Sequence, residues 1–496
     1  MSAEVIIKSN MYQDSVALMR ISSQISKLPG IIQAAVVMGT PQNKNILEES
    51  GLFKPELMAA KPSDLIIVFD AEDPASGRKA IKLVDKLLES PEAGSKSTVK
   101  ADRNSVSIRT AIQAHPEVNM IAISVPGEFA AAEALKALKS NANVFLFSDN
   151  VSIADEVQLK KYAWSKDLIL MGPDCGTAYI DEVPFGFVNR VRRGNIGIVG
   201  SSGTGIQELM TQIHRLGGGI SHVIGTGSHD LSDDVAGLST KSAIIALEAD
   251  EATETIVLVS KPASKTVMEH ILEALARTGK KLIACLQGFA PEKDYGNIQF
   301  ANTLQQAACL AVNTTVKPPV CDFADVRVQG KFIRGLFSGG TLASEAYMLL
   351  GKEVGPVAFN PADPWRAADN GHFILDMGSD EFTIGKPHPI IDLSDRLAMF
   401  KKVAADKETG VILMDLVLGF SAHEDPASEL APYIRQFCGT DGPKVVINLL
   451  GTELDFQGYD SQAIKLLEAG AIVLNNNTDA VFTALQLIAR DEKGGK

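Results

Sequence analysis

Two short runs, Ser201-Ser202-Gly203-Thr204 and Ser338-Gly339-Gly340-Thr341, combine glycines with hydroxyl side chains and carry the residue types needed to hold an anion. N–H groups at a helix start favour negative charge, and glycines let backbone approach a ligand closely. Each run follows an apolar stretch, Ile196 to Val199 or Leu336-Phe337, and precedes a helical pattern, so each reads as strand, turn and helix start. Two roles suit such a turn. It caps its helix, or it cradles phosphate or an anionic substrate and stabilises the oxyanion formed at an attacked carbonyl. The spacing of Gly200, Gly203 and Gly205 matches neither a dinucleotide-binding turn nor a P-loop, and no P-loop lysine follows.

Other chemistry-bearing residues lie downstream. Lys386 and His388, in Gly-Lys-Pro-His-Pro, are candidates for neutralising phosphate or moving a proton, because flanking prolines hold them in an extended loop. Lys261 and Asp415 read as equivalent strand ends of opposite charge, facing one cleft or paired with each other. Asp415 is therefore grouped with Lys386 and His388 as a catalytic candidate. His423 and Asp425 form a similar loop, and Asp380-Glu381 could orient His388 or meet a metal. No His, Cys or carboxylate spacing defines a metal site, and none is expected. Cys175 reads as a small packed thiol.

The elements that position these residues repeat. Ser201, Gly203, Thr204 and Glu208 match Ser338, Gly340, Thr341 and Glu345, and Gly227-Ser228 matches Gly378-Ser379. Leu282 to Gly288 matches Val445 to Gly451 at a larger offset, so the second copy contains insertions. Two such α/β domains can pack about a pseudo-twofold axis and aim two helix N-termini at one anion. The predicted organisation is α/β: a small ferredoxin- or ACT-like α+β module over 1–95, and a Rossmann-like, CoA-binding-type parallel domain over 96–190. A flavodoxin-like domain follows over 191–318, with its duplicate over 319–496. The polar stretch Pro91 to Thr98 and the proline-rich Thr314 to Val320 are the expected joints. In the Rossmann-like domain the loops Val125-Pro-Gly127, Ser148-Asp-Asn150 and Gly172 to Gly176 share the carboxyl edge of the sheet, where ligands bind.

A net charge of −13 and a pI near 5.2 argue against nonspecific binding to nucleic acid or an anionic membrane, so any anion needs a local site. Five scattered cysteines fit a reducing, cytoplasmic setting, and no signal peptide or membrane-length apolar run is read.

Val125-Pro-Gly127, Gly172-Pro-Asp-Cys175 and Gly197 to Thr204, in that order, resemble the α subunit of succinyl-CoA synthetase. The region from Gly340 through Val445 to Thr452 resembles the carboxyl-terminal domain of its β subunit. Their fusion, with Gly378 to Pro389 and Leu418 to Pro426, is similar to the FdrA family. That resemblance implies a subunit of an oxamate carbamoyltransferase, which converts oxalurate and phosphate to oxamate and carbamoyl phosphate in allantoin catabolism. Its implied partners are further subunits of a hetero-oligomer and a carbamate kinase. In the ligase family a histidine carries phosphate after the strand equivalent to Leu282 to Gly288, whereas the stretch Gly288 to Asn302 contains no histidine. No ATP-grasp-sized segment precedes the second copy, and no cofactor is firmly expected. The alternative is an acyl-CoA synthetase-like protein that binds CoA and needs a separate ATP-grasp partner, or a nonenzymatic regulatory subunit.

Overall fold

The computed structural model describes residues 2–11, 13, 15–89, 107–316, 326, 328–365, 371–383, 386–438 and 442–494. Near the N-terminus, β1 (Ser2–Lys8), α1 (Ser15–Ser26), β2 (Ile31–Met38), α2 (Pro41–Glu49), β3 (Leu65–Ala71) and α3 (Pro74–Glu89) form the expected α+β module. Its sheet is antiparallel with order β1-β3-β2. β3 is central, which explains why Leu65 to Phe69 form an unbroken buried run rather than an alternating one. The expected joint at Pro91 to Thr98 lies outside the described residues, as does part of Thr314 to Val320.

The next module contains α4 (Ile108–Ala114), β4 (Met120–Ile123), α5 (Gly127–Lys139), β5 (Asn143–Leu146), α6 (Ile153–Trp164) and β6 (Leu170–Met171). Its strands are parallel in the order β4-β5-β6. The hairpin β7 (Thr177–Ile180) and β8 (Val183–Gly186) leaves this sheet. β7 pairs instead with β10 (Ile220–Gly225) of the next module, so the sheet boundary falls before residue 190.

β9 (Arg193–Gly200), α7 (Gly203–Arg215), β10, α8 (Leu238–Ala249), β11 (Thr255–Ser260), α9 (Lys265–Leu275), β12 (Lys281–Leu286), β13 (Ile298–Phe300) and α10 (Leu304–Ala311) form the first repeated module. The second contains β14 (Phe332–Phe337), α11 (Gly340–Val354), β15 (Val357–Phe359), β16 (His372–Asp376), β17 (Thr409–Val417), β18 (Lys444–Leu450) and β19 (Ile472–Leu474). The core orders β10-β9-β11-β12-β13 and β16-β14-β17-β18-β19 are the same doubly wound 2-1-3-4-5 arrangement. β15 and the short helix Asp380–Thr383 lie in the stretch where the second copy is longer.

The two copies share one core, in which Ile206, Leu209, Met210 and Ile213 of α7 pack in a cluster with Leu342, Ala346 and Leu350 of α11. α7 is therefore buried nearly all round, including Gln207, Glu208, Thr211 and Gln212. Its polar groups are answered across the interface. Glu208 accepts from the N–H of Asn477, at the start of the C-terminal helix Asn477–Gly494, at 2.7 Å, while Glu345 accepts from the N–H of Leu304, at the start of α10, at 2.8 Å. Each copy thus supplies the acceptor for a helix start in the other. Burial pushes the Glu208 carboxyl up to about 7 despite these donors, with Glu345 adding repulsion.

Candidate functional site

The repeated turns meet face to face. The hydroxyls of Ser202 and Thr341 hydrogen-bond to each other, and Ser202 Oγ also accepts from the N–H of Gly205 at 3.0 Å. A Cβ on Gly205 would lie 2.9 Å from Thr341 Cγ2, and one on Gly339 would lie 2.8 Å from Thr204 Oγ1. Glycine is required at 205 and 339 because the first turns of α7 and α11 interlock. The hydroxyls of Ser202 and Thr341 are consequently committed, and in this structure both serve the cap and the interface rather than a ligand.

The second turn differs from the first. Asp415 Oδ1 accepts from the N–H of Ser338 at 2.8 Å and Asp415 Oδ2 from the N–H of Gly339 at 2.8 Å, with Ser338 Oγ 3.0 Å from both oxygens. Arg396 Nη2 donates to Asp415 Oδ1 at 3.0 Å, and both side chains are buried. The chain's own carboxylate occupies the position expected for an external anion. Two expectations are corrected. Ser338 and Gly339 spend these donors on Asp415, and Asp415 is a buried positioning residue, not a strand-end group facing a cleft. Nor is it equivalent to Lys261, because Asp415 lies inside β17 whereas Lys261 follows the end of β11. In the first turn the N–H of Ser201 donates to Val259 O at 3.3 Å, with no carboxylate in the corresponding place.

Donors remain open beside this filled half. Among the described residues the N–H groups of Gly203, Thr204, Gly340 and Thr341 have no hydrogen-bond partner. Ser201, Gly203, Thr204 and Gly340 are each partly accessible, unlike Ser338 and Gly339. Lys261 projects into the same place: a Cβ on Gly340 would stand 2.8 Å from Lys261 Nζ and 2.6 Å from Asp376 Oδ2. Asp376, the last residue of β16, is 8% exposed, and burial pushes its carboxyl up to about 6 against the opposing charge of Lys261. Loops of the Rossmann-like module border the recess with exposed carboxylates. Asp174 has Ser228, Asp149, Lys261 and Asp380 as its polar neighbours, and partial desolvation by the surrounding loops raises the pKa of both Asp149 and Asp174 although each keeps an exposed edge.

His388 is brought to this recess and Lys386 is not. The His388 ring lies against Gly378, where an added Cβ would be 2.8 Å from Nε2, and its centroid is 6.0 Å from that of Phe187. Its Nδ1 accepts from the N–H of Ile390 at 3.2 Å, which assigns the proton of the neutral ring to Nε2. Burial, with the charges of Arg396 and Lys261 nearby, pushes its pKa down to about 4, so His388 is a neutral donor near pH 7. Lys386 makes a 2.9 Å ion pair with Asp395, and both side chains are more than half exposed. His423 faces Glu429 at 3.2 Å, and Asp425 pairs with Lys465 at 2.7 Å and caps the helix Pro426–Phe437. Cys175 is buried, and desolvation pushes its thiol up to about 12.

Asp376 and Arg396 were not singled out from sequence. Asp376 had a signal, since it lies two residues before Gly378-Ser379, the counterpart of Gly227-Ser228, at the carboxyl end of a strand. Arg396 had none, being a helical arginine that reaches Asp415 only through tertiary packing.

Comparison with known proteins assigns this architecture. A model described as AllF, heavy metal-associated domain, matches residues 1–105; one for a CoA binding domain matches 191–287; and one for CoA-ligase matches 336–487. The uncharacterized protein YahF of Escherichia coli (strain K12) is 41% identical over 520 residues, covering 99% of this chain and 100% of the relative. The chain belongs to the YahF family. Within that family frame, the α subunit of an ADP-forming succinate–CoA ligase from Staphylococcus aureus (strain Mu50 / ATCC 700699) is 28% identical over 143 residues, 28% of this chain and 46% of that subunit. Among solved structures, ATP citrate lyase from Methanothrix soehngenii with citrate and coenzyme A aligns at 20% identity and TM-score 0.33, covering 42% of this chain and 36% of that one. A dinucleotide-forming acetyl-coenzyme A synthetase from Ca. Korarchaeum cryptofilum, with phosphate and ADP, aligns at 14% and 0.32, covering 75% and 83%. The CoA binding match falls on the first repeated module. Residues 1–105, matched by the AllF heavy metal-associated domain, contain no cysteine or histidine. Among the described residues no helix is long and apolar enough to cross a membrane.

Proposed function

We propose that this chain is a succinyl-CoA synthetase-like subunit that moves an acyl group between a carrier and phosphate. In that reaction a phosphate oxygen attacks the acyl carbon, the bond from carbon to carrier breaks, and the carrier atom gains the proton that phosphate loses. The products are an acyl phosphate and the protonated carrier. The observation that carries this reading is the pair of touching turns whose N–H groups at Gly203, Thr204, Gly340 and Thr341 are open, with Lys261 beside Gly340. Fixed donors of this kind hold phosphate and stabilise the oxyanion of the tetrahedral intermediate. His388, as a neutral Nε2–H donor, lies near enough to Lys261 to feel its charge. The CoA binding and CoA-ligase matches favour the thiol of CoA as the carrier. Because Gly288 to Asn302 contains no histidine, the phosphoryl group does not pass to the enzyme there, and the acyl phosphate leaves free.

A second reading is favoured by that missing histidine and by the resemblance of Gly378 to Pro389 and Leu418 to Pro426 to the FdrA family: the carrier is the nitrogen of oxamate. The chain then serves as a subunit of an oxamate carbamoyltransferase, phosphate attacks the ureido carbonyl of oxalurate, and carbamoyl phosphate passes to a carbamate kinase. Phosphorus NMR of the full chain with copurifying partners separates the readings. Inorganic phosphate with succinyl-CoA should give an acyl phosphate resonance and free thiol under the first, whereas oxalurate should give carbamoyl phosphate under the second. Absence of both products would overturn acyl transfer to phosphate.

A further inference from the structure

Two atoms of opposite charge face one point in space and do not meet. Asp376 Oδ2 and Lys261 Nζ would lie 2.6 and 2.8 Å from a Cβ on Gly340, yet they form no ion pair within 4.0 Å. Among the described residues neither atom has a hydrogen-bond partner; the Asp376 carboxylate accepts only through Oδ1, from the N–H of Gly378 at 3.1 Å. Asp376 is more than nine-tenths buried as a residue, but its unpartnered Oδ2 is not among the sealed-off polar atoms: it is the part of the side chain that faces the gap, opposite the exposed Lys261. The gap opens at the N-terminus of α11, where the N–H groups of Gly340 and Thr341 are also open.

The charges around the gap limit what can enter. Asp174 and Asp380 lie close by, so a fully deprotonated anion would meet carboxylates with nothing to give them. An oxyanion that still carries a hydrogen can donate to a carboxylate while accepting from an ammonium and from backbone N–H groups. Monohydrogen phosphate is such an ion near neutral pH, and sulfate is not.

We propose that Lys261 and Asp376 form a phosphate-selective slot across Gly340, in which Lys261 Nζ donates to a phosphate oxygen and Asp376 Oδ2 accepts the P–O–H hydrogen. This inference rests on the acyl-transfer-to-phosphate reading and adds the residue that sets anion selectivity. Glycine at 340 is then a requirement of the slot, because any side chain would fill it. Gly340 is not among the glycines with positive φ, so alanine suits its backbone.

Titration calorimetry of the full chain at pH 7.5, with inorganic phosphate and with sulfate, tests the slot. The native chain should prefer phosphate by about 10- to 100-fold, the scale of one charge-assisted hydrogen bond. Asp376→Asn should reduce that preference to within about 3-fold, because an amide can donate to sulfate. Gly340→Ala, with an unchanged unfolding midpoint, should lose phosphate binding. If Asp376→Asn leaves the preference intact, or Gly340→Ala binds phosphate normally, the slot is wrong while phosphate binding itself stands. If the native chain binds no phosphate, both the slot and the acyl-transfer reading fall.

Discussion

Asp415→Asn separates a structural from a catalytic role for a carboxylate that sequence alone places among the reactive groups. Asp415 is fully buried, accepts two backbone N–H bonds at 2.8 Å and the Ser338 hydroxyl at 3.0 Å, and pairs with buried Arg396 at 3.0 Å. Asparagine keeps one acceptor but turns an N–H₂ group toward donors and leaves the guanidinium without its counter-charge. Breaking one partner of a buried pair costs about 3–5 kcal/mol. With a urea slope of about 2–3 kcal/mol per molar, the unfolding midpoint of this module should fall by about 1–2.5 M. Trp365 reports on that module, since it packs edge-on against Phe373 with centroids 6.4 Å apart; a Trp164→Phe background removes the other tryptophan. Adding Arg396→Met should then cost less than its effect alone, because the orphaned charge is already present, with a coupling of at least about 1 kcal/mol. If Asp415→Asn leaves the Trp365 transition in place while abolishing turnover, Asp415 acts on the substrate and the filled-turn account is refuted.

Gly205→Ala and Gly339→Ala should each destabilise the contact between α7 and α11 by about 1–3 kcal/mol, since the new methyl meets Thr341 or Thr204 within 3 Å; Trp365-monitored unfolding reads this, and unaltered midpoints would deny the interlock. Glu208 has an ordinary carboxyl value of 4.5 raised to about 7, so the folded chain holds its proton longer than the unfolded chain does. Stability from this group therefore falls as pH rises from about 4.5 to 7, and melting temperatures across that range should show a slope that Glu208→Gln removes. His388 moves the other way, from 6.5 to about 4, so the folded chain resists protonation and loses stability from this group as pH falls through that window. Imidazole nitrogen NMR should find no protonation of His388 above about pH 5, and a titration near 6.5 would contradict its burial.

The duplicated architecture was legible because its signals are local and repeat. Matching glycines, hydroxyls and glutamates mark both strand-turn-helix units, and the strand orders agree with the repeat. The α+β start and the parallel sheet over residues 120–171 were legible for the same reason, since apolar runs alternate with helical patterns. The destination of β7 and β8 was not. The hairpin Thr177 to Gly186 is short and chooses its sheet through β10, a partner about 40 residues away that composition does not indicate. The site was half legible. That Ser201 to Thr204 and Ser338 to Thr341 converge follows from pseudo-symmetry, but which donors stay open depends on a residue inside β17 reaching across to β14. Likewise Lys386 and His388, two residues apart, looked interchangeable; one ends in a solvent-exposed ion pair with Asp395 and the other behind Gly378.

The two halves have kept the same frame and lost equivalence at the atoms that meet a ligand. Two identical turns about a pseudo-twofold axis would present two sets of donors, and a single small anion could satisfy only part of them. Unanswered buried N–H groups cost stability, so an internal acceptor for one set is favoured. Asp415 is that acceptor in the second copy, and Arg396 keeps its charge compensated there. The first copy has Val259 O near Ser201 N instead, a neutral acceptor that leaves the adjoining Gly203 and Thr204 donors open. Lys261 and Asp376 then come from opposite copies to the same side of Gly340, which joins the halves into one asymmetric recess. A carboxylate buried in the second turn and an ammonium following β11 of the first copy are thus complementary: one closes the position an anion would otherwise take, and the other draws the anion to the remaining side. Exchanging the roles, by Asp415→Ala with Val259→Asp, should open the Ser338 and Gly339 donors and close that of Ser201, while Gly340 stays open beside Lys261. Such a chain, if folded, should hold phosphate more weakly than the native one in calorimetry at pH 7.5, because a carboxylate without an arginine to compensate it then stands next to the open Gly203 and Thr204 donors; equal affinity would mean that the asymmetry of the turns does not direct binding.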